Sequence, residues 1–150
     1  MSELYAKIRD DIKSAMKEKK PEVLAALRNL DSTIKNKIIE VGAQIPTDDH
    51  VIASVSSLVK RGKDSAEQFI NGKREDLANL ELFQVDVLKK YLPPQMSLDE
   101  IKALVAKTAE DVGAKTMADL GKVMKVLGPK IKGLADGKVV QQAIKDLLQH

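Results

Sequence analysis

The chain has no cysteine and no tryptophan, and its 150 residues include only two histidines, two tyrosines and two phenylalanines. Lacking cysteine, it can form neither a disulfide nor a thiolate metal site. His50 and His150 have no second ligand at helical spacing. They are therefore expected to be a helix-start residue and a chain end rather than metal ligands. An aromatic content of 3% argues against a platform on which single-stranded bases stack. No apolar run approaches the roughly 18 residues of a membrane span. The opening MSELYAKIRDD is amphipathic and acidic, not a basic stretch leading into an apolar one. No secretory signal is expected, and the default location is cytoplasmic. The net charge of +3 is the remainder of 25 basic and 22 acidic side chains, so any attraction to a polyanion has to be local.

Leu, Ile, Val and Ala supply the apolar 43%, and their spacing is helical throughout. Leu4, Ile8, Ile12 and Met16 mark a first helix that stops near Lys17 to Pro21. Val23, Leu24, Leu27, Leu30, Ile34, Ile38 and Val41 mark a second, with Gly42 placed for a left-handed cap. Thr47 or Asp48 can cap a third, carrying Val51, Ile52, Val55, Leu58, Val59, Ala66, Phe69 and Ile70 and closed by Asn71-Gly72. A fourth, Lys73 to Tyr91, is expected to bury Leu77, Leu80, Phe83, Val87 and Leu88, and it leads to the tandem prolines Pro93-Pro94. Ser97 and Glu100 resemble a capping box for a fifth helix that ends at Gly113. Thr116 and Asp119 open a sixth, ended or kinked by Gly128-Pro129. Asp136 caps a seventh, with Val139, Val140, Ala143, Ile144, Leu147 and Leu148 on its apolar face. The predicted fold is all-α. It has an N-terminal four-helix domain over residues 1–92 and a C-terminal three-helix bundle over 97–150, joined by a Pro-Pro hinge.

Little in the chain points to catalysis. The acidic pairs Asp10-Asp11, Asp48-Asp49, Asp99-Glu100 and Glu110-Asp111 are adjacent, and on a helix that separates them by about 100°. There is no phosphate-binding glycine loop and no nucleophile elbow. No catalytic residue, metal ligand or cofactor is assigned.

The segment Gly121 to Val140 differs in kind. It holds five lysines against one acid, whereas Ser97 to Leu120 holds three lysines against five acids. Its glycines and its proline also work against helix propensity, and local conflict of that sort tends to accompany function. Lys122, Lys125, Lys130, Lys132 and Lys138 are candidate phosphate contacts. Gly121, Gly133 and Gly137 would let an anionic backbone approach closely. On residue chemistry alone, a solvated lysine face with glycines that merely shape turns is an equal alternative.

Several further stretches carry a family likeness. They are Leu27-Arg28 through Ile34-Lys35-Asn36-Lys37, Glu67-Gln68-Phe69 followed by Gly72-Lys73-Arg74-Glu75-Asp76-Leu77-Ala78, and Tyr91-Leu92-Pro93. Above all they are Gly121-Lys122-Val123-Met124 and the later Lys132, Ala135, Asp136, Gly137 and Val140. In these the chain resembles the YqeY-like proteins, whose C-terminal part is similar to the tail domain of the glutamyl/aspartyl-tRNA amidotransferase B subunit. That resemblance implies a helical tail facing tRNA and an association with carbon-nitrogen ligase activity, without a stand-alone active site. Two positions depart from the family pattern: Gly128, where a bulkier apolar residue is usual, and Gly62, which weakens the third helix and puts a second basic surface along Lys60, Arg61 and Lys63 in doubt.

The expected function is a tRNA-binding or tRNA-amidotransferase-related module that contacts RNA through its C-terminal bundle. The partner would be tRNA or a tRNA-processing complex, with no membrane involved. The alternatives are a protein-interaction adaptor that grips its partner with the N-terminal helices, and an accessory to a glutamine-dependent ligase acting on aminoacyl-tRNA.

Overall fold

Helical periodicity turns into helix over nearly all of the sequence. The computed structural model describes residues 2–149, and His150 lies outside them. Among the described residues there are seven α-helices and no strand. They are α1 (Glu3–Lys17), α2 (Pro21–Val41), α3 (Asp48–Asn71), α4 (Glu75–Lys89), α5 (Leu98–Val112), α6 (Leu120–Ile131) and α7 (Gly137–Leu148), with a 3-10 turn, Met117–Asp119, ahead of α6. The chain divides into two compact units, Met1–Leu92 and Pro93–His150.

Local chemistry sets most helix ends. The Ser2 hydroxyl accepts from the Tyr5 amide, Thr47 Oγ1 from His50, and Ser97 Oγ from Glu100. Each satisfies a donor that has no partner within the helix. Gly42 and Gly113 take left-handed conformations, φ 72° and 70°, and close α2 and α5 as the sequence predicts. The α3 helix also closes at Asn71-Gly72 as the sequence predicts, but without a left-handed glycine. Gly72 keeps φ −85°, and the left-handed residue is Lys73 at φ 60°. That displaces the start of α4 from Lys73 to Glu75.

Ile8, Leu27, Leu30, Ile34, Val51 and Val55 form the fully buried centre of the first unit. Each such side chain contributes roughly 1.5–3 kcal/mol relative to exposure. Both tyrosines are buried here and each donates its hydroxyl to a carboxylate on another helix: Tyr5 to Asp31 at 2.7 Å and Tyr91 to Asp11 at 2.5 Å. Burial first, and the neighbouring carboxylate second, push both phenols above their ordinary range. The Ser2 hydroxyl donates to Asp48, placing the start of α1 beside the start of α3.

Gly62 is buried in α3 against Val85 of α4. The glycine that weakens α3 as a helix is therefore the point at which α4 approaches it. Ala66 and Ala78 are likewise buried, and they also keep the two helices close.

This close packing selects which face of α4 is covered, and the sequence reading needs correction there. Leu80 and Phe83 are exposed, while Ala78, Val85 and Leu88 are buried. Apolar residues lie on several sides of α4, so periodicity did not single out the contact face; the small residues of α3 and α4 did. Met16, Val41 and Ile70, expected on buried stripes, are exposed as well.

In the second unit α5, α6 and α7 enclose Ile101, Val105, Val123, Leu127, Ile131, Val140 and Ile144. Gly128-Pro129 does not end α6, which continues to Ile131. The amide that Pro129 lacks would have bonded to the carbonyl of Lys125, which lies on the exposed side where water can take its place. Val139 is exposed rather than part of the apolar face of α7.

Candidate functional site

The lysines singled out in the sequence fall on α6 and on the turn that follows it. Successive residues on a helix are about 100° apart, so Lys122, Lys125 and Lys130 share an arc of about 140°. All three are exposed, and Val126 and Pro129 lie between them on the same arc. Val123, Leu127 and Ile131 occupy the opposite side and are buried. The hydrophobic core thus orients α6 and turns its ammonium groups outward together. Among the described residues none of the three forms an ion pair, although Lys122 is close enough to Asp119 to help lower that carboxyl.

The start of α6 is held by Asp119. Its Oδ2 accepts from the amides of Lys115 at 2.9 Å and Thr116 at 3.3 Å. Those two bonds hold the carboxyl below its ordinary value, because they favour the charged form. Gly121 follows on the exposed surface, and a β-carbon there would meet nothing within 4 Å.

Beyond α6, Lys132 is exposed and extended at the helix end, and Gly133 reverses the chain at φ 78°. Gly133 is buried. Its carbonyl accepts from Gln95 Nε2 at 2.9 Å, and Met96 donates its amide to Leu134 at 2.8 Å. Gly133 is thus a turn residue that the Pro93–Met96 segment is tied to, and no backbone surface is open there for a partner. Gly137 is exposed, with free space where a β-carbon would go. Asp136 caps α7 by accepting from the Lys138 amide at 2.9 Å, which places Lys138 in the first turn.

The structure therefore brings Lys122, Lys125 and Lys130 onto one face, with Gly121 at its edge. Lys132 and Lys138 lie on the loop and helix that follow, and Gly133 belongs to the interior. Sequence reasoning missed Gln95, Val126 and Pro129. The two residues on the face were recoverable from their spacing of four and seven from Lys122; Gln95 carried no local signal.

Ammonium groups on flexible stems act as point charges toward anionic oxygens. All four Phe and Tyr residues, Tyr5, Phe69, Phe83 and Tyr91, lie in the first unit, so the described residues of the second offer no aromatic ring for a base to stack on. No group of three metal-ligating side chains occurs among the described residues, and no helix there is long and apolar enough to cross a membrane. His50 sits in the first turn of α3, where its Nδ1 accepts from the Thr47 amide at 3.2 Å.

Residues 5–148 match the family model described as Yqey-like protein. The chain is 34% identical over 113 residues to "Altered inheritance of mitochondria protein 41, mitochondrial" from Clavispora lusitaniae, covering 74% of this chain and 65% of that protein. It is 32% identical over 114 residues to the protein of the same name from Saccharomyces cerevisiae, covering 72% and 62%. The Pyrenophora tritici-repentis protein of that name is 30% identical over 145 residues, covering 95% and 79%. The chain thus spans less than two thirds of the length of the first two. The mitochondrial naming of these relatives overturns the cytoplasmic location expected from the sequence. The chain belongs to the Yqey-like protein family.

Proposed function

We propose that this Yqey-like protein binds structured RNA of the tRNA class through its C-terminal unit, without chemistry of its own. One observation carries the reading: Lys122, Lys125 and Lys130 point outward on one face of α6, unpaired among the described residues. Gly121 and Gly137 leave room for a phosphate backbone to come close, and Lys132 and Lys138 extend the positive surface. With no aromatic side chain in this unit, recognition rests on backbone charge and shape rather than on stacked bases. Association with an aminoacyl-tRNA amidotransferase is the narrower form of the same proposal. The working location is that of the named relatives, the mitochondrion.

A second reading, the protein-interaction adaptor, draws support from the exposed Leu80 and Phe83 in the first unit.

Titration of labelled tRNA at increasing salt tests the RNA reading. Affinity should fall with a log-log slope of about 0.7–0.9 per phosphate neutralised, and the triple change Lys122→Glu, Lys125→Glu, Lys130→Glu should abolish binding while the helical spectrum is unchanged. Salt-independent binding, or full binding by the triple variant, would refute it. Pull-down of a protein partner by the first unit alone would favour the adaptor.

A further inference from the structure

Lys132 and Gly133 are the two central residues of a type II turn. Lys132 stands at φ −56°, ψ 120°, Gly133 at φ 78°, and the Leu134 amide donates back to the Ile131 carbonyl at 2.8 Å. The second place needs a residue that tolerates positive φ, which glycine does. Lys132 therefore takes the corner of the turn, exposed, directly after α6.

The bonds within the turn close on one atom, since the Ile131 carbonyl also accepts from the Ala135 amide at 3.1 Å. The Gly133 and Leu134 carbonyls are taken instead by a segment 38 positions earlier in the chain. Gln95 Nε2 donates to Gly133 at 2.9 Å and the Met96 amide donates to Leu134 at 2.8 Å. The same Nε2 donates to the carbonyl of Pro93 at 2.8 Å. A primary amide has two hydrogens to give, and Gln95 gives one to its own segment and the other to the turn. Pro93 and Pro94 have no N–H, so Gln95 and Met96 are the first residues after them able to make such bonds. Gln95 is itself exposed; what it contributes is donors.

We infer that Gln95 is a positioning residue for RNA: it fixes the turn so that Lys132 meets a phosphate, and RNA held at Lys132 in return immobilises residues 93–96. This rests on the RNA reading given above. A lysine on a loose turn has to be ordered when its partner arrives, and that ordering subtracts from affinity. With Gln95 bonded to Gly133, the backbone under Lys132 is ordered beforehand. Lys122 and Lys125 need no such help, because they stand on helical backbone held by its own ladder of bonds. The coupling is reciprocal, as linkage between two sites must be.

The test uses the full chain and labelled tRNA, titrated at several salt concentrations. Gln95→Met keeps the length of the side chain and removes its donors, and since the residue is exposed the helical spectrum should not change. It should weaken binding about fivefold and lower the salt slope by about 0.7–0.9, the share of one phosphate contact. Lys132→Ala should do the same, and the double variant should be no worse than either single one. The losses from Gln95→Met and Lys125→Ala should instead multiply, because those sites are independent. Hydrogen exchange gives a second readout: the Met96 amide should exchange faster in Gln95→Met, and more slowly in the wild type once tRNA is bound. Wild-type affinity in Gln95→Met, losses that multiply with Lys132→Ala, or Met96 exchange indifferent to tRNA would each overturn the inference while leaving the RNA reading in place. A wild-type chain that binds no tRNA would overturn both.

Discussion

A β-carbon placed on Gly62 would stand 2.5 Å from Cγ2 of Val85, so the distance between α3 and α4 depends on residue 62 having no side chain. A glycine inside a helix is normally improved by alanine, by about 1 kcal/mol. Here the sign should reverse. Gly62→Ala forces Val85 to shift or α4 to move outward, at a cost of about 1–3 kcal/mol, and the melting temperature should fall. The double variant Gly62→Ala, Val85→Ala should recover part of the loss, and a thermodynamic cycle over the four proteins would measure the coupling. Equal stability of Gly62→Ala and wild type would contradict this account.

Ser56 should respond in the opposite direction. Its hydroxyl oxygen is buried and has no hydrogen-bond partner among the described residues. Ser56→Ala removes an unsatisfied polar atom and raises helix propensity, so stability to urea should rise by about 0.5–2 kcal/mol. A loss of stability would mean that the hydroxyl is bonded in solution.

The two tyrosine hydroxyls bind helix to helix through carboxylates. Tyr91→Phe keeps the buried ring but removes the donor to Asp11, and Tyr5→Phe does the same toward Asp31. Each should cost about 1–2 kcal/mol in denaturant unfolding. Because Tyr91 is only 2% exposed and bonded to a carboxylate, ultraviolet titration should find it ionising later than a free tyrosine, and only as the first unit unfolds in alkali.

Asp119 gives a prediction at the acid end. Its carboxyl is held below the ordinary value by the amides of Lys115 and Thr116. A depressed carboxyl stabilises the fold above its unfolded pKa of about 3.9, and that contribution fades as pH falls through the lower folded value. Amide shifts of Lys115 and Thr116, followed by NMR, should therefore titrate together below the ordinary carboxylate range and stop titrating in Asp119→Asn.

Single changes on α6 should separate phosphate contacts from bystanders. Lys122→Ala, Lys125→Ala and Lys130→Ala should each reduce the salt slope of RNA binding by about 0.7–0.9, uniformly across RNA sequences. Gly121→Val should leave the fold intact, since open space surrounds that position, and should weaken binding only if RNA backbone comes close there. Melting curves alongside the binding curves would keep the two effects apart.

The sequence alone settled the elements and several of their ends. Apolar residues at helical spacing gave seven helices. Gly42, Gly113, Thr47, Ser97 and Asp136 carry conformational or hydrogen-bonding preferences that act within a few residues, which is why they could be read locally. The lysine-rich stretch was equally visible as composition, and the family likeness rested on short motifs that need no coordinates. Tertiary structure decided which faces are covered and which are not. Leu80, Phe83 and Met16 are as apolar as the residues that were buried, and only the contact through Gly62, Ala66 and Ala78 chose the face of α4. Gly133 was indistinguishable in sequence from Gly121 until its carbonyl was found bonded to Gln95, 38 positions away. Burial and partnership depend on what the chain brings alongside from far off in sequence, and local periodicity carries no information about that.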